Sequence, residues 1–181
     1  MTPADHEHPC RSAERPPAGA PVALTLRVNG QAHTLTVPPN RTLLQLLRDD
    51  LGLLGAREAC DTGGCGACTV LLDGRPVYSC LVLALDCREK SVLTIEGMAA
   101  EDGTLHPLQQ AFIDHGAIQC GFCTPGMVLT AKALLDANPA PTEQEVREAI
   151  AGNICRCTGY VKIVEAIMAV SGQAGTRDRE P

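Results

Sequence analysis

The chain is poor in aromatic residues: of 181 residues two are Tyr, two are Phe and none is Trp. Tyr78, Phe112, Phe122 and Tyr160 cannot fill a core of ordinary size, so the core must be built from Leu, Val, Ile and Ala. Positive charge is also scarce. Fifteen Lys and Arg against 21 Asp and Glu give a formal net charge of −6. No basic cluster interleaves with aromatics, which excludes the phosphate-backbone recognition used by nucleic-acid binders. No apolar run approaches the ~20 residues that a bilayer-spanning helix needs, so membrane insertion is not expected. The first 22 residues contain His6, His8, Pro9, Pro16, Pro17 and Pro21, with no apolar stretch behind a basic start and no twin-Arg pair. A secretory signal is therefore not expected, and a cytoplasmic location is.

Cysteine, by contrast, is abundant. Ten lie at positions 10, 60, 65, 68, 80, 87, 120, 123, 155 and 157. A reducing cytosol does not sustain five disulfides, so these thiols point to metal binding or redox chemistry. Cys60, Cys65 and Cys68 form C-x4-C-x2-C with Cys80 beyond them; Cys120 and Cys123 form C-x2-C, and Cys155 and Cys157 form C-x-C. Two groups of four emerge, with Cys10 and Cys87 left over. Four thiolates suit a tetrahedral zinc and equally a [2Fe–2S] cluster, in which each iron takes two Cys and two bridging sulfides.

The first group is decided by its spacing and by what lies between the ligands. Cys60-Asp61-Thr62-Gly63-Gly64-Cys65-Gly66-Ala67-Cys68 has the plant-type ferredoxin spacing, which reads as iron–sulfur and not zinc. Its glycines let a loop wrap tightly and aim backbone N–H groups at sulfur, which stabilises the charge gained on reduction. The second group, read alone, also fits zinc or a dithiol redox pair. Thr124-Pro125 reads as an N-cap followed by proline at the first helical position, which would put Cys123 at a helix N-terminus where anionic ligands are favoured. Thr158-Gly159 reads as the turn into another helix near Tyr160, so two helix N-termini are expected to converge on one anionic centre.

Around these groups the patterning divides the chain in two. Residues 1–21 and 173–181 read as flexible tails. Residues 22–98 read as strands and one short helix: Ala23 to Val28 alternates, Asn29-Gly30 turns, His33 to Val37 alternates again, and Thr42 with Gln45 caps a helix carrying Leu43, Leu44, Leu47 and Leu51. Thr69 to Leu72, the Asp73-Gly74 turn and Pro76 to Cys80 form a second hairpin, and Ser91 to Ile95 a fifth strand. The predicted fold is α+β, with a β-grasp sheet first. Residues 99–172 change to a period of 3.6, with helices at Pro107 to His115, at Met127, Ala131, Leu134 and Leu135, after a Thr142–Glu145 capping box, and from Tyr160 to Met168. This second part is expected to be a four-helix bundle bearing the C-x2-C and C-x-C turns at one end. Cys87 is expected to be a small buried residue at a strand end, Cys10 an exposed thiol without a role, and the five histidines surface residues. Arg156 fits either a charge beside a cluster or a structural contact. No paired-carboxylate or Ser/His/Asp constellation stands out, so no catalytic residue and no substrate site are expected in this chain.

From about Leu24 to Val170 the chain resembles the small iron–sulfur subunit of the molybdenum hydroxylases, the superfamily of xanthine dehydrogenase, aldehyde oxidase and carbon monoxide dehydrogenase. The motifs that carry the resemblance are Cys60 to Val70, Ser79-Cys80-Leu81, Gln119-Cys120-Gly121-Phe122-Cys123-Thr124-Pro125-Gly126-Met127 and Cys155-Arg156-Cys157-Thr158-Gly159-Tyr160. It implies a ferredoxin-like domain with a [2Fe–2S] cluster on Cys60, Cys65, Cys68 and Cys80, followed by a helical domain with a second on Cys120, Cys123, Cys155 and Cys157. It also implies a large subunit holding a molybdenum–pterin cofactor and a medium subunit holding FAD, in a dimer of heterotrimers. Single electrons would pass from molybdenum, through the helical-domain cluster and then the ferredoxin-type cluster, to FAD. Gln119 matches the family position that contacts the pterin. The N-terminal extension with Cys10, and Cys87, depart from the pattern.

Overall fold

The computed structural model describes residues 19–172; Cys10 and the expected tails, save residues 19–21, lie outside the described residues. Strands β1 (Val22–Val28) and β2 (Gln31–Val37) form the first hairpin, and Asn29 (φ 51°) and Gly30 (φ 80°) take the two left-handed positions of its turn. A two-residue turn with positive φ at both positions matches the twist of the strands it joins. The second hairpin, β3 (Thr69–Leu72) and β4 (Arg75–Tyr78), repeats this with Asp73 (φ 48°) and Gly74 (φ 78°). With β5 (Ser91–Leu93), which ends two residues earlier than expected, they form one sheet in the order β2-β1-β5-β3-β4. The pair β1–β5 is parallel and the others are antiparallel.

One face of the sheet is covered by α1 (Leu43–Gln45), which continues into a π turn, Leu46–Asp50. The Thr42–Gln45 capping box is present, with the Gln45 amide donating to the Thr42 hydroxyl at 3.2 Å and the Thr42 amide donating to the Gln45 side chain at 3.1 Å. The π turn rotates the chain so that Leu46 joins Leu43, Leu44 and Leu47 among the fully buried side chains, while Leu51 stays at the margin. Against them lie Leu24, Leu26, Val28, Val70, Val92 and also Cys87. Cys87 is buried as expected, but in a 3-10 turn (Ala84–Cys87) and not at a strand end.

The second core is helical: α2 (Pro107–Asp114), α3 (Thr124–Ala137), α4 (Glu143–Ala149) and α5 (Val161–Val170) enclose Phe112, Met127, Leu135, Val146, Ile163 and Ile167. His106, partly exposed, caps α2, its Nδ1 accepting from the Leu108 amide at 3.2 Å. The two cores share a strand. Val70 of β3 points into the first and Leu71 into the second, both at most 2% exposed, because side chains of a strand alternate between faces. The helical layer thus closes the face of the sheet that α1 leaves open.

Candidate metal centres

At the first centre the hairpin itself assembles two thiols. Thr69 pairs with Tyr78, so the residues flanking the hairpin, Cys68 and Cys80, emerge at the same end. Ser79 fixes them: its hydroxyl donates to the Cys68 carbonyl at 2.7 Å and its amide to the same oxygen at 3.3 Å. The thiols of Cys68 and Cys80 lie within hydrogen-bonding reach, and those of Cys60 and Cys65 form a second such pair. Gly63 (φ 74°) gives the loop between them its left-handed bend, and its bare Cα lies against the exposed Leu81, where a Cβ would collide with that side chain. Asp61 takes the same region (φ 51°), as acidic and amide side chains sometimes do.

Backbone amides converge on the sulfurs. Thr62 first, together with the Cys65 thiol, the Thr62 hydroxyl and the Gly64 amide, lowers the Cys60 thiol to about 6. At Cys80 burial dominates, with the neighbouring Cys68 adding to it, and the thiol rises to about 11 although the Gly63 amide opposes this. The loop thus presents donors that favour negative sulfur at Cys60, while burial at Cys80 favours the neutral thiol.

The second centre repeats the pairing. Cys157 donates to the Cys120 sulfur at 3.6 Å, and Cys123 reaches Cys155. Cys123 and Cys155 form the inner pair; Cys120 and Cys157 are exposed. Burial, and then Cys155, push the Cys123 thiol up to about 12. Burial also acts to raise Cys155, but the Thr158 hydroxyl and amide and the Cys157 amide outweigh it and bring the thiol down. Tyr160 shapes this turn: in a left-handed conformation (φ 68°) it folds back so that its hydroxyl accepts from the Cys155 amide at 2.7 Å. The expected Thr124 cap is displaced by one residue. Cys123 itself is the N-cap of α3 and Thr124 its first residue, so the thiol sits closer to the helix terminus than the sequence implied. The N-terminus of α5 lies four residues beyond Cys157. Gln119 is exposed beside Cys120, and Arg156 is exposed between Cys155 and Cys157.

Among the described residues, no three Cys, His, Asp or Glu side chains close in on one point as they would around a lone ion. The thiols come together as Cys60 with Cys65, Cys68 with Cys80, Cys120 with Cys157 and Cys123 with Cys155, pairs that could each supply two thiolates to one iron of a [2Fe–2S] cluster. Two residues of the seam between the centres, Asn153 and Arg57, were not singled out by sequence. The Arg57 guanidinium lies 5.9 Å from the centroid of the Phe122 ring, inside the C-x2-C turn, with its Nε buried and without a hydrogen-bond acceptor. Neither carries a local signature, because each acts on residues distant in sequence.

Comparison with known proteins identifies two domains. Residues 26–93 match the 2Fe-2S iron-sulfur cluster binding domain family, and residues 94–168 match the [2Fe-2S] binding domain family. The chain is thus an iron–sulfur protein of two [2Fe–2S]-binding domains. It is 52% identical over 146 residues to the nicotinate dehydrogenase small FeS subunit of Eubacterium barkeri, covering 81% of this chain and 92% of that one. Quinoline 2-oxidoreductase of Pseudomonas putida superposes with a TM-score of 0.82 at 43% identity, covering 86% of this chain and 96% of the matched chain. Aldehyde oxidoreductase of Desulfovibrio desulfuricans superposes with a TM-score of 0.80 at 49% identity, covering 83% of this chain and 17% of that one. The chain belongs to the small iron–sulfur subunits of the molybdenum hydroxylase superfamily.

Proposed function

We propose that this chain is the electron-transfer subunit of a cytoplasmic molybdenum hydroxylase, set between a large molybdenum–pterin subunit and a medium FAD subunit in a dimer of heterotrimers. Cys60, Cys65, Cys68 and Cys80 hold one [2Fe–2S] cluster; Cys120, Cys123, Cys155 and Cys157 hold the other. When bound, each cluster takes up or releases one electron at a time. The chain's own residues supply the thiolates, the amides that offset the added charge, and the rigid spacing between the two loops. They contribute no acid, base or nucleophile to a substrate, which leaves the hydroxylation itself to the large subunit.

The observation that carries this reading is the outer pair of the second centre. Cys120 and Cys157 are exposed beside exposed Gln119, and their sequence neighbours Ile118, Phe122, Ile154 and Val161 are uncovered apolar side chains, 37–57% exposed. Apolar surface around an open redox site is what a docking partner would cover. Gln119 would meet the pterin there, while Leu81, 62% exposed beside Cys80, would lie under the flavin subunit at the first centre. In the Desulfovibrio aldehyde oxidoreductase the matching unit is about a sixth of a longer chain, in keeping with a module that works inside a larger assembly.

Purification of the native protein tests the assignment. The expected result is co-elution with two larger chains, one carrying molybdenum and one carrying FAD. Elution as a lone monomer that retains both clusters would favour a free-standing electron carrier instead.

A further inference from the structure

The two cysteine loops are held together by a short polar seam. The Ile154 amide donates to the Cys65 carbonyl at 2.9 Å, so one hydrogen bond and one residue separate a thiolate residue of the first centre from Cys155 of the second. Beside it lies Asn153, only 3% exposed. Its Nδ2 donates to the Gly66 carbonyl at 2.9 Å and to the Thr69 hydroxyl at 3.1 Å, and its Oδ1 accepts from the Thr130 hydroxyl at 2.9 Å. One side chain therefore joins the ferredoxin loop, strand β3, helix α3 and the turn that carries Cys155.

The backbone contact is as close as the chain permits. Gly66 (φ 70°) lies against Gly152 and Asn153, and a Cβ there would strike the Gly152 carbonyl. The Tyr78 hydroxyl donates to that same Gly152 carbonyl at 3.0 Å, which braces the turn from β4. A pocket of about 150 Å³, lined in part by Thr69, Tyr78, Thr130, Gly152 and Asn153, adjoins the seam.

We infer that Asn153 is the positioning residue that sets the separation and electronic contact of the two clusters, by clamping the Cys155 turn onto the Cys65–Gly66 backbone. The inference rests on the two-cluster reading above. Asn153 touches no proposed ligand sulfur; it acts through the Cys65 carbonyl and Ile154 amide. Its amide is required in kind as well as in shape, since both N–H groups are used as donors. Asn153→Asp keeps the outline but sets a carboxylate oxygen against the Gly66 carbonyl.

The test is low-temperature EPR of the intact holoprotein, reduced in steps with dithionite. In the wild type, full reduction makes both clusters paramagnetic, and their signals should split or broaden relative to those of the half-reduced protein. Asn153→Ala and Asn153→Asp should keep iron and sulfide at about four each per chain and both signals, but lose the splitting. Thr130→Val, which removes only the donor to Oδ1, should weaken it less. A role confined to folding would lower the melting temperature without moving the splitting. Unchanged splitting in the Asn153 variants at full iron content overturns the inference, as does loss of iron in both Asn153→Ala and Thr130→Val, which would make Asn153 a support for ligands and not for spacing. A wild type with a single signal would instead overturn the two-cluster reading itself.

Discussion

Burial alone does not set Cys87 apart from the eight proposed ligand thiols, which range from buried (Cys68, Cys80, Cys155) to exposed (Cys120, Cys157); its surroundings do. Among the described cysteines Cys87 is the most buried and its pKa is raised to about 11, by burial before all else, yet the hydrogen bond its sulfur makes is to the Leu83 carbonyl, at 3.7 Å. Cys80 has a similar pKa but faces a second thiol and the Gly63 amide. Cys87→Ala should therefore leave iron and sulfide at about four each per chain and cost about 1 kcal/mol as a small cavity, read by metal analysis and thermal melting. Cys65→Ser should halve the iron content. The grouping proposed for the first centre was readable from spacing, since C-x4-C-x2-C and the Gly residues between its cysteines are local features, whereas the second group needed its helical context and the family resemblance. Asn153 was not readable in this way: nothing around it in the chain reveals that its partners lie 84 and 87 positions away.

Elements fixed by their own sequence matched expectation, and those shaped by packing did not. The Thr142–Glu145 box of α4 is present, with the Thr142 amide 2.7 Å from the Glu145 carboxylate. That amide, and then the Thr142 hydroxyl, holds the Glu145 carboxyl below its ordinary range. Since the folded pKa is depressed, the contribution of Glu145 is complete above the ordinary value of about 4.5 and is lost only as pH falls through the lower folded value. The melting difference between wild type and Glu145→Gln should thus stay flat from about pH 6 to 8; a difference that changes across this interval would contradict the cap as described. Thr142→Ala should cost about 1 kcal/mol. The π turn after α1 and the one-residue shift of the α3 cap escaped sequence reading because both are set by tertiary contacts, the first by Leu46 entering the core and the second by Cys123 turning toward Cys155.

At the scale of the whole molecule, the two domains are one packed body with β3 as the common wall. Leu71, a strand residue by pattern, belongs to the helical core. Its truncation to Ala should cost about 2 to 5 kcal/mol and lower the stability of both halves together, so that bleaching of the visible bands and loss of helical circular dichroism coincide on heating. Two separate transitions would contradict a shared wall. The alternation that makes Val70 and Leu71 face opposite cores was readable as a strand, but not as a strand buried on both sides, because the layer that covers the second face lies about 60 residues downstream in α3. Joining the domains through β3 and the Asn153 seam would keep the two proposed clusters at a constant separation, as the proposed conduit between partner subunits requires. Eight cysteines are proposed to hold two separate [2Fe–2S] clusters. Low-temperature EPR of dithionite-reduced wild type, Cys65→Ser and Cys120→Ser tests this most directly. Two distinguishable signals in the wild type, one lost in each variant, are predicted; a single signal lost in both, or a colourless zinc protein with no signal, would contradict it.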